Sequence, residues 1–273
     1  MSSLPLGSEL IALDVPGLAS PTNLYVHGPA DKFVSQTIRS TGLWEPFETS
    51  LIVAILGPGD VFVDVGANIG YFCVIAASLV GTSGRVIAFE PDPKNCTLLD
   101  ASIELNGFEG RTVTVEAGLS NTDSDGQLYL STENFGDHQI YAGESGRASL
   151  PIALHHGANF LRTRIERLDL LKVDTQGSEY AVIEGLMPLL QELSRPPQII
   201  IELTPFSLRE AGASGAALIT LLNTLAQPFW IIDHIEHALV RSAASELSLW
   251  CDNVDACEGD RGFMNILVGP GIP

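Results

Sequence analysis

The chain has 273 residues, 45% of them hydrophobic, enough for one large core or two small ones. Thirty-three acids against 14 lysines and arginines leave a net charge of −19, a surface that repels phosphate backbones and anionic lipid and argues against nucleic acid or membrane as partner. No apolar run is long enough to span a bilayer, and the first ten residues lack the basic start and apolar core of a secretory signal.

Pro5, Pro16, Pro21 and Pro29 break the first thirty residues into short loops or edge strands. Glu48, Leu51, Ile52 and Ile55 then follow helical spacing, and Gly-Pro-Gly-Asp at 57–60 marks a turn. From residue 61 strands and helices alternate. Residues 61–65 read as a buried strand, 69–80 as a helix, 85–89 as a second strand, 93–106 as a second helix and 113–115 as a third strand. Residues 118–165 are less regular, with a candidate strand at 127–131 and a loop at 134–138. A strand at 170–174, a helix at 178–190, a strand at 198–203 and a helix at 216–225 follow. Residues 229–233, 238–241 and 263–268 read as final strands. Such alternation predicts a mostly parallel sheet covered on both faces, with ligands bound beyond the carboxyl ends of its strands. Cys73, Cys96, Cys251 and Cys257 form no Cys-x-x-Cys pair, and their usage fits a reducing cytoplasm.

The loop after the first strand of this series is Gly66-Ala67-Asn68-Ile69-Gly70. It lacks the close third glycine that lets backbone approach a diphosphate. Asp64, two residues ahead, would repel a diphosphate and suits a ligand with positive charge, an ammonium or a sulfonium. The plain alternative is a glycine turn with a capping aspartate. Glu90 ends the next strand, 24 residues after Gly66, close to the offset of about 20 at which an acid accepts ribose hydroxyls. A nucleoside with a cationic part and no phosphate describes S-adenosylmethionine. Pro91, Asp92 and Asn95 after that strand, and Ala117 and Gly118 after the third, complete the candidates for cofactor contact.

Residues 59–72 (Gly-Asp-Val-Phe-Val-Asp-Val-Gly-Ala-Asn-Ile-Gly-Tyr-Phe), 86–95 (Val-Ile-Ala-Phe-Glu-Pro-Asp-Pro-Lys-Asn) and 170–180 (Leu-Leu-Lys-Val-Asp-Thr-Gln-Gly-Ser-Glu-Tyr) resemble the FkbM family of S-adenosylmethionine-dependent methyltransferases. Thr41–Pro46 and Phe263–Val268 fit the same pattern, and the likeness runs from about residue 40 to 269. The resemblance implies a Rossmann-like class I fold, α/β, with a seven-stranded mostly parallel sheet whose last strand is antiparallel and helices on both faces. It also implies methyl transfer to a hydroxyl of a sugar, polyketide or other natural product, with S-adenosylhomocysteine as product. One departure is Ala153-Leu-His-His-Gly157, where the family carries a Leu-Asp pair opening a helix. On this reading residues 1–57 form a cap or lid and 58–273 the methyltransferase domain, with an acceptor-side insertion at about 120–165.

Methyl transfer is an in-line displacement, so the protein chiefly positions acceptor and donor. A hydroxyl acceptor must also lose a proton, and two residues are candidates to take it. Asp174 ends its strand and could act as base, ligate a divalent ion or contact the cofactor. His138 lies on a polar loop. Lys172 shares a strand face with Asp174, and an ion pair between Lys172 and Glu202 on the neighbouring strand would offset the cost of a lone buried charge. Trp44 and Glu45 stand ahead of the first strand, placed to close over the cofactor. His155-His156 and His234-x-x-His237 could suggest metal, but the second pair spans a hairpin turn and reads as polar turn surface, and no metal site is expected. N-methylation of an amine and cofactor binding without catalysis stay open as alternatives, as does a homo-oligomer.

Overall fold

The computed structural model describes residues 4–143 and 146–272. The chain opens with strands β1 (Glu9–Leu13) and β2 (Thr22–Val26) and helices α1 (Val34–Thr41) and α2 (Pro46–Ile55). The alternating core follows as β3 (Val61–Val65), α3 (Tyr71–Val80), β4 (Arg85–Phe89), α4 (Pro93–Leu105) and β5 (Thr112–Val115). Next come β6 (Gly118–Ser120), β7 (Ser124–Tyr129), β8 (Ser149–His156) and α5 (Gly157–Leu161). The second half runs β9 (Leu170–Val173), α6 (Glu179–Glu192), β10 (Gln198–Leu203), α7 (Pro205–Glu210), α8 (Gly215–Asn223), β11 (Phe229–Asp233), β12 (Ala238–Ser242), α9 (Ala244–Ala256) and β13 (Met264–Val268).

The main sheet has the order β12-β11-β13-β10-β9-β3-β4-β5. Strands β5, β4, β3, β9 and β10 are parallel, and β13 enters antiparallel between β10 and β11. The antiparallel last strand agrees with expectation. The strand count does not: β12 folds back on β11 as a hairpin and makes eight strands rather than seven. The chain winds outward from β3 to β5, then returns to β9 on the other side of β3. The β3/β9 seam is therefore the switch point, where a cleft opens at strand ends.

Two apolar layers follow from the period-two alternation of the strands. Val63, Val65, Ile87, Phe89, Leu171 and Val173 face α6 and α8. Phe62, Val86, Ala88, Leu170 and Ile200 face α3, α4 and the N-terminal elements. Because helices cover both faces, β3 is buried at every position, which explains its unbroken run of β-branched and aromatic residues around Asp64.

The prolines of the first thirty residues frame a hairpin of β1 and β2. Asn106 at the end of α4 bonds both backbone groups of Asn23, and Ser102 accepts from the Tyr25 N–H, so the hairpin is tied to the core. Within 118–165 the described residues include more regular structure than the composition suggests: β6, β8 and β7 form a separate three-stranded sheet. It packs on α6 so closely that a Cβ on Gly185 would lie 2.0 Å from the Ser120 carbonyl oxygen. His234 and His237 sit at the β11–β12 turn, where His237 stacks on Phe47. Among the described residues no helix is long and apolar enough to cross a membrane.

Candidate functional site

Strands β3, β4 and β9 end side by side, and their loops are locked together by backbone. The Gly66 and Ala67 N–H groups donate to the Phe89 carbonyl at 2.9 and 3.0 Å, and the Asp174 N–H donates to Val65 at 3.0 Å. Gly66 has φ +87°, and a Cβ there would lie 1.8 Å from the Asp174 carbonyl oxygen. Only glycine permits that approach. Gly70 has a different role. At φ +86° it opens α3, and a Cβ would lie 2.7 Å from Leu99 Cγ, so it sets the packing of α3 on α4.

Glu90 stands at the tip of β4, 5% exposed. Its Oε2 accepts the Asn68 N–H at 2.8 Å, and its Oε1 accepts the Asp92 N–H at 2.8 Å and the Asn95 amide at 3.3 Å. Three of about four carboxylate lone-pair sites are used, leaving capacity for a hydroxyl donor. Burial pushes the carboxyl up to about 7, against the pull of the Asp92 N–H.

One wall is the loop 131–138. The Phe135 N–H donates to Asp31, which also accepts from the Ser35 N–H at the start of α1. His138 is 3.2 Å from Asp92 through Nε2, while its Nδ1 accepts the Ser131 N–H at 3.0 Å. Accepting at Nδ1 requires the neutral tautomer with its proton on Nε2, so both ring nitrogens are engaged. Asp92 in turn caps α4 through the Lys94 N–H. Beneath it, His27 Nε2 meets Asn95 Oδ1 at 2.6 Å, and burial lowers its pKa.

The opposite end of the cleft is crowded with carboxylates. Lys172, 4% exposed, lies 3.1 Å from Asp174 and 3.5 Å from Glu48 on α2. This corrects the expected Lys172–Glu202 pair. In the β9–β10 register Lys172 stands opposite Ile200, Glu202 lies one residue beyond the last paired position, and α2 supplies Glu48 instead. Burial opposes the lysine's charge, but Asp174, Glu48, Glu45 and Asp64 hold its pKa well above the ordinary range. Glu202 is joined to Asp174 by a residue that sequence reasoning passed over. Gln176 Nε2 donates to Asp174 Oδ1 at 2.7 Å and to Glu202 Oε2 at 3.0 Å. Its position, three residues past the end of β9 in the loop before α6, was the available signal. The loop carrying it is shaped by buried Glu179, which accepts the Thr175 and Gly177 N–H groups. Burial raises Glu202 well above the carboxylate range, with Asp174 adding to it, and burial with Glu48 does the same to Glu45.

These elements enclose a cavity of about 400 Å³, within the range of small-ligand sites. Glu45, Gly66, Ala67, Asn68, Glu90, Pro91, Asn95, Gly118, His138, Lys172, Asp174 and Glu202 line it. Four expected contacts stand behind the lining. Asp64 is buried under Cys73, whose thiol donates to it at 3.2 Å, and burial raises it to about 6. Gly70 is taken up by helix packing, Asp92 by capping and His138, and Ala117 is buried. Phe33, Trp44, Phe135 and Phe263 add aromatic walls. Of these only Trp44 was singled out, because isolated aromatics in loops carry no periodic signal.

Residues 64–228 match the family described as the methyltransferase FkbM domain. The chain is 26% identical over 195 residues to hexuronic acid methyltransferase AglP of Haloferax volcanii, covering 68% of this chain and 77% of that protein. It is 27% identical over 150 residues to Methyltransferase 1 of Beauveria bassiana, covering 47% of this chain and 59% of that one. Among solved structures, methyltransferase FkbM from Methylobacillus flagellatus aligns with a TM-score of 0.45 at 15% identity, over 77% of this chain and 43% of that chain.

Proposed function

The chain belongs to the FkbM methyltransferase-domain family, and from that premise we propose that it transfers a methyl group from S-adenosylmethionine to a hydroxyl of a small molecule. The observation that carries the cofactor assignment is the charge of the cleft. Glu90 offers a carboxylate for ribose hydroxyls at the tip of β4, Glu45, Asp174 and Glu202 line the other end, and the one lysine there is already paired. Among the described residues a dinucleotide diphosphate would meet carboxylates and a lysine already paired, whereas a nucleoside carrying a sulfonium fits that donor set. Gly66, which lines the cleft, sits between the two ends at the tip of β3.

When bound, S-adenosylmethionine supplies an activated methyl carbon, and its sulfur leaves as a neutral thioether. The chain's own work is to orient the acceptor oxygen and receive its proton. Between the two base candidates the geometry favours Asp174. His138 holds the loop 131–138 against α4 and has no free lone pair. Asp174 faces the cleft, and the Gln176 amide, donating to both Asp174 and Glu202, fixes its carboxylate in place to receive the proton. Lys172 and Glu48 steady Asp174 from behind. We assign residues 1–57 as a cap, since Phe33, Trp44 and Glu45 reach the cleft from it, and the β6–β8 sheet as an acceptor-side wall through Leu128 and Leu154. A sugar is the first acceptor class to try, given the name of the Haloferax relative.

The test is incubation with methyl-labelled cofactor and a panel of sugar, polyketide and amine acceptors. Label recovered in an O-methyl product is expected. Label recovered only on nitrogen would overturn hydroxyl transfer and bring back the amine reading.

A further inference from the structure

Resting on that reading of the cofactor, we infer that Glu45, Asp174 and Glu202, backed by Glu48 and Asp64, form a seat that selects the cationic sulfonium cofactor over its neutral thioether product. Four carboxylates from three elements (Glu45 and Glu48 at the start of α2, Asp64 of β3 and Asp174 at the β9 end) converge on Lys172, and Gln176 joins Glu202 of β10 to them. The groups facing them are few. Lys172 bonds Asp174 and Glu48, Gln176 bridges Asp174 and Glu202, the Asn265 amide of β13 donates to Glu48 at 2.7 Å, and the Cys73 thiol of α3 donates to Asp64. His234, at 3.4 Å from Asn265, is the next titratable group out, and Glu179 at the start of α6 adds a further negative charge behind Glu202.

The donors do not satisfy the acids. Glu45 Oε2 and Asp64 Oδ1 are buried without a hydrogen-bond partner, and Asp64 is 1% exposed. Ser178, 6% exposed and lining the same cleft, leaves its hydroxyl unpartnered as well. A fold that buries unmatched negative charge holds protons there until a cation arrives. Glu45 and Glu202, both raised well above the carboxylate range, are where such a proton resides. A sulfonium entering beside them restores the charge balance and expels the proton. The thioether left after transfer brings no charge, so the proton returns and the product is held less tightly. The seat thus favours exchange of product for fresh cofactor.

S-adenosylmethionine and S-adenosylhomocysteine differ at this end only by the methyl and the charge, so the pair isolates the effect without an acceptor. Calorimetric titration of both ligands near pH 7.5, in buffers of low and high ionisation enthalpy, reads affinity and proton release together. The sulfonium form should bind about tenfold more tightly and release roughly half a proton more than the thioether. Glu202→Gln should remove most of that extra release and shrink the affinity ratio severalfold, with Glu45→Gln as an independent second variant. Equal or tighter binding of the thioether by the natural chain, with equal proton release, would overturn the seat. So would glutamine variants that leave both differences unchanged. Absence of binding by either ligand would instead overturn the cofactor assignment, and the seat would fall with it.

Discussion

Replacing Glu90 by glutamine makes two opposing effects separable by pH. The side chain keeps its size but exchanges one accepting oxygen for an amide donor. Since Oε1 and Oε2 each accept a backbone N–H at 2.8 Å, either orientation of the amide leaves one buried N–H unmet. That costs about 1–3 kcal/mol. Against it stands the burial of the carboxyl, raised from 4.5 to about 7. Between those values the folded chain binds a proton that the unfolded chain has released. The contribution to stability is complete below 4.5, declines as pH rises and is lost above about 7. At about 1.4 kcal/mol per unit the full swing is about 3 kcal/mol. The variant lacks this slope. Near pH 5 it should therefore be less stable than the natural chain by about 1–3 kcal/mol. Near pH 8 it should match or exceed it. Urea denaturation of both proteins without ligand, across that range, measures the difference, and contributions from Asp64, Glu45 and Glu202 cancel because both proteins carry them. A stability difference that stays flat with pH would refute the desolvated carboxyl at the tip of β4.

Other substitutions probe separate parts of the frame. Gly66→Ala should cost more than about 3 kcal/mol or abolish folding, since its Cβ would meet the Asp174 carbonyl at 1.8 Å, whereas Gly107→Ala, at a positive φ with open space around it, should cost about 1 kcal/mol. Thermal melts that rank the two equally would refute the close approach of the loops. Lys172→Met leaves Asp174 and Glu48 without their cation and should destabilise the chain by about 3–5 kcal/mol at neutral pH. Part of that loss should return as pH falls and the acids protonate, and a loss independent of pH would count against the ion cluster. Asp92→Asn keeps a capping side chain but weakens the hold on His138. Global stability should drop by about 1–3 kcal/mol, while hydrogen exchange at the Ser131 and Phe135 amides speeds up.

Periodicity made the central strands and helices legible, because β3, β4, β9 and β10 are buried on both faces and spell out apolar runs. It failed at the edges. Strand β8, Ser-Leu-Pro-Ile-Ala-Leu-His-His, alternates weakly and contains a proline, tolerated although β8 is the middle strand because β6 pairs only with Leu154–His156 and leaves one side of Pro151 open. Helix α1 has a largely polar sequence, and only Val34, Ser35 and Ile38 are buried, too few to spell out an apolar face. The site divides in the same way. Glu90 and Gly66 could be found because their roles follow from position after a strand. The partner of Lys172 could not, because Glu48 lies 124 positions away in sequence and reaches the lysine only through the docking of α2. For the same reason, nothing in the run Asp-Thr-Gln-Gly told which side chain Gln176 would bridge.

The central claim is that the cleft at the ends of β3, β4 and β9 holds an adenosyl ligand without phosphate. Titration of the purified chain with S-adenosylhomocysteine and with NAD, in parallel with Glu90→Ala, tests it directly. The account predicts micromolar binding of S-adenosylhomocysteine, at least a hundredfold loss in the variant, and no binding of NAD. NAD binding by the natural chain, or S-adenosylhomocysteine binding that survives removal of Glu90, would contradict it.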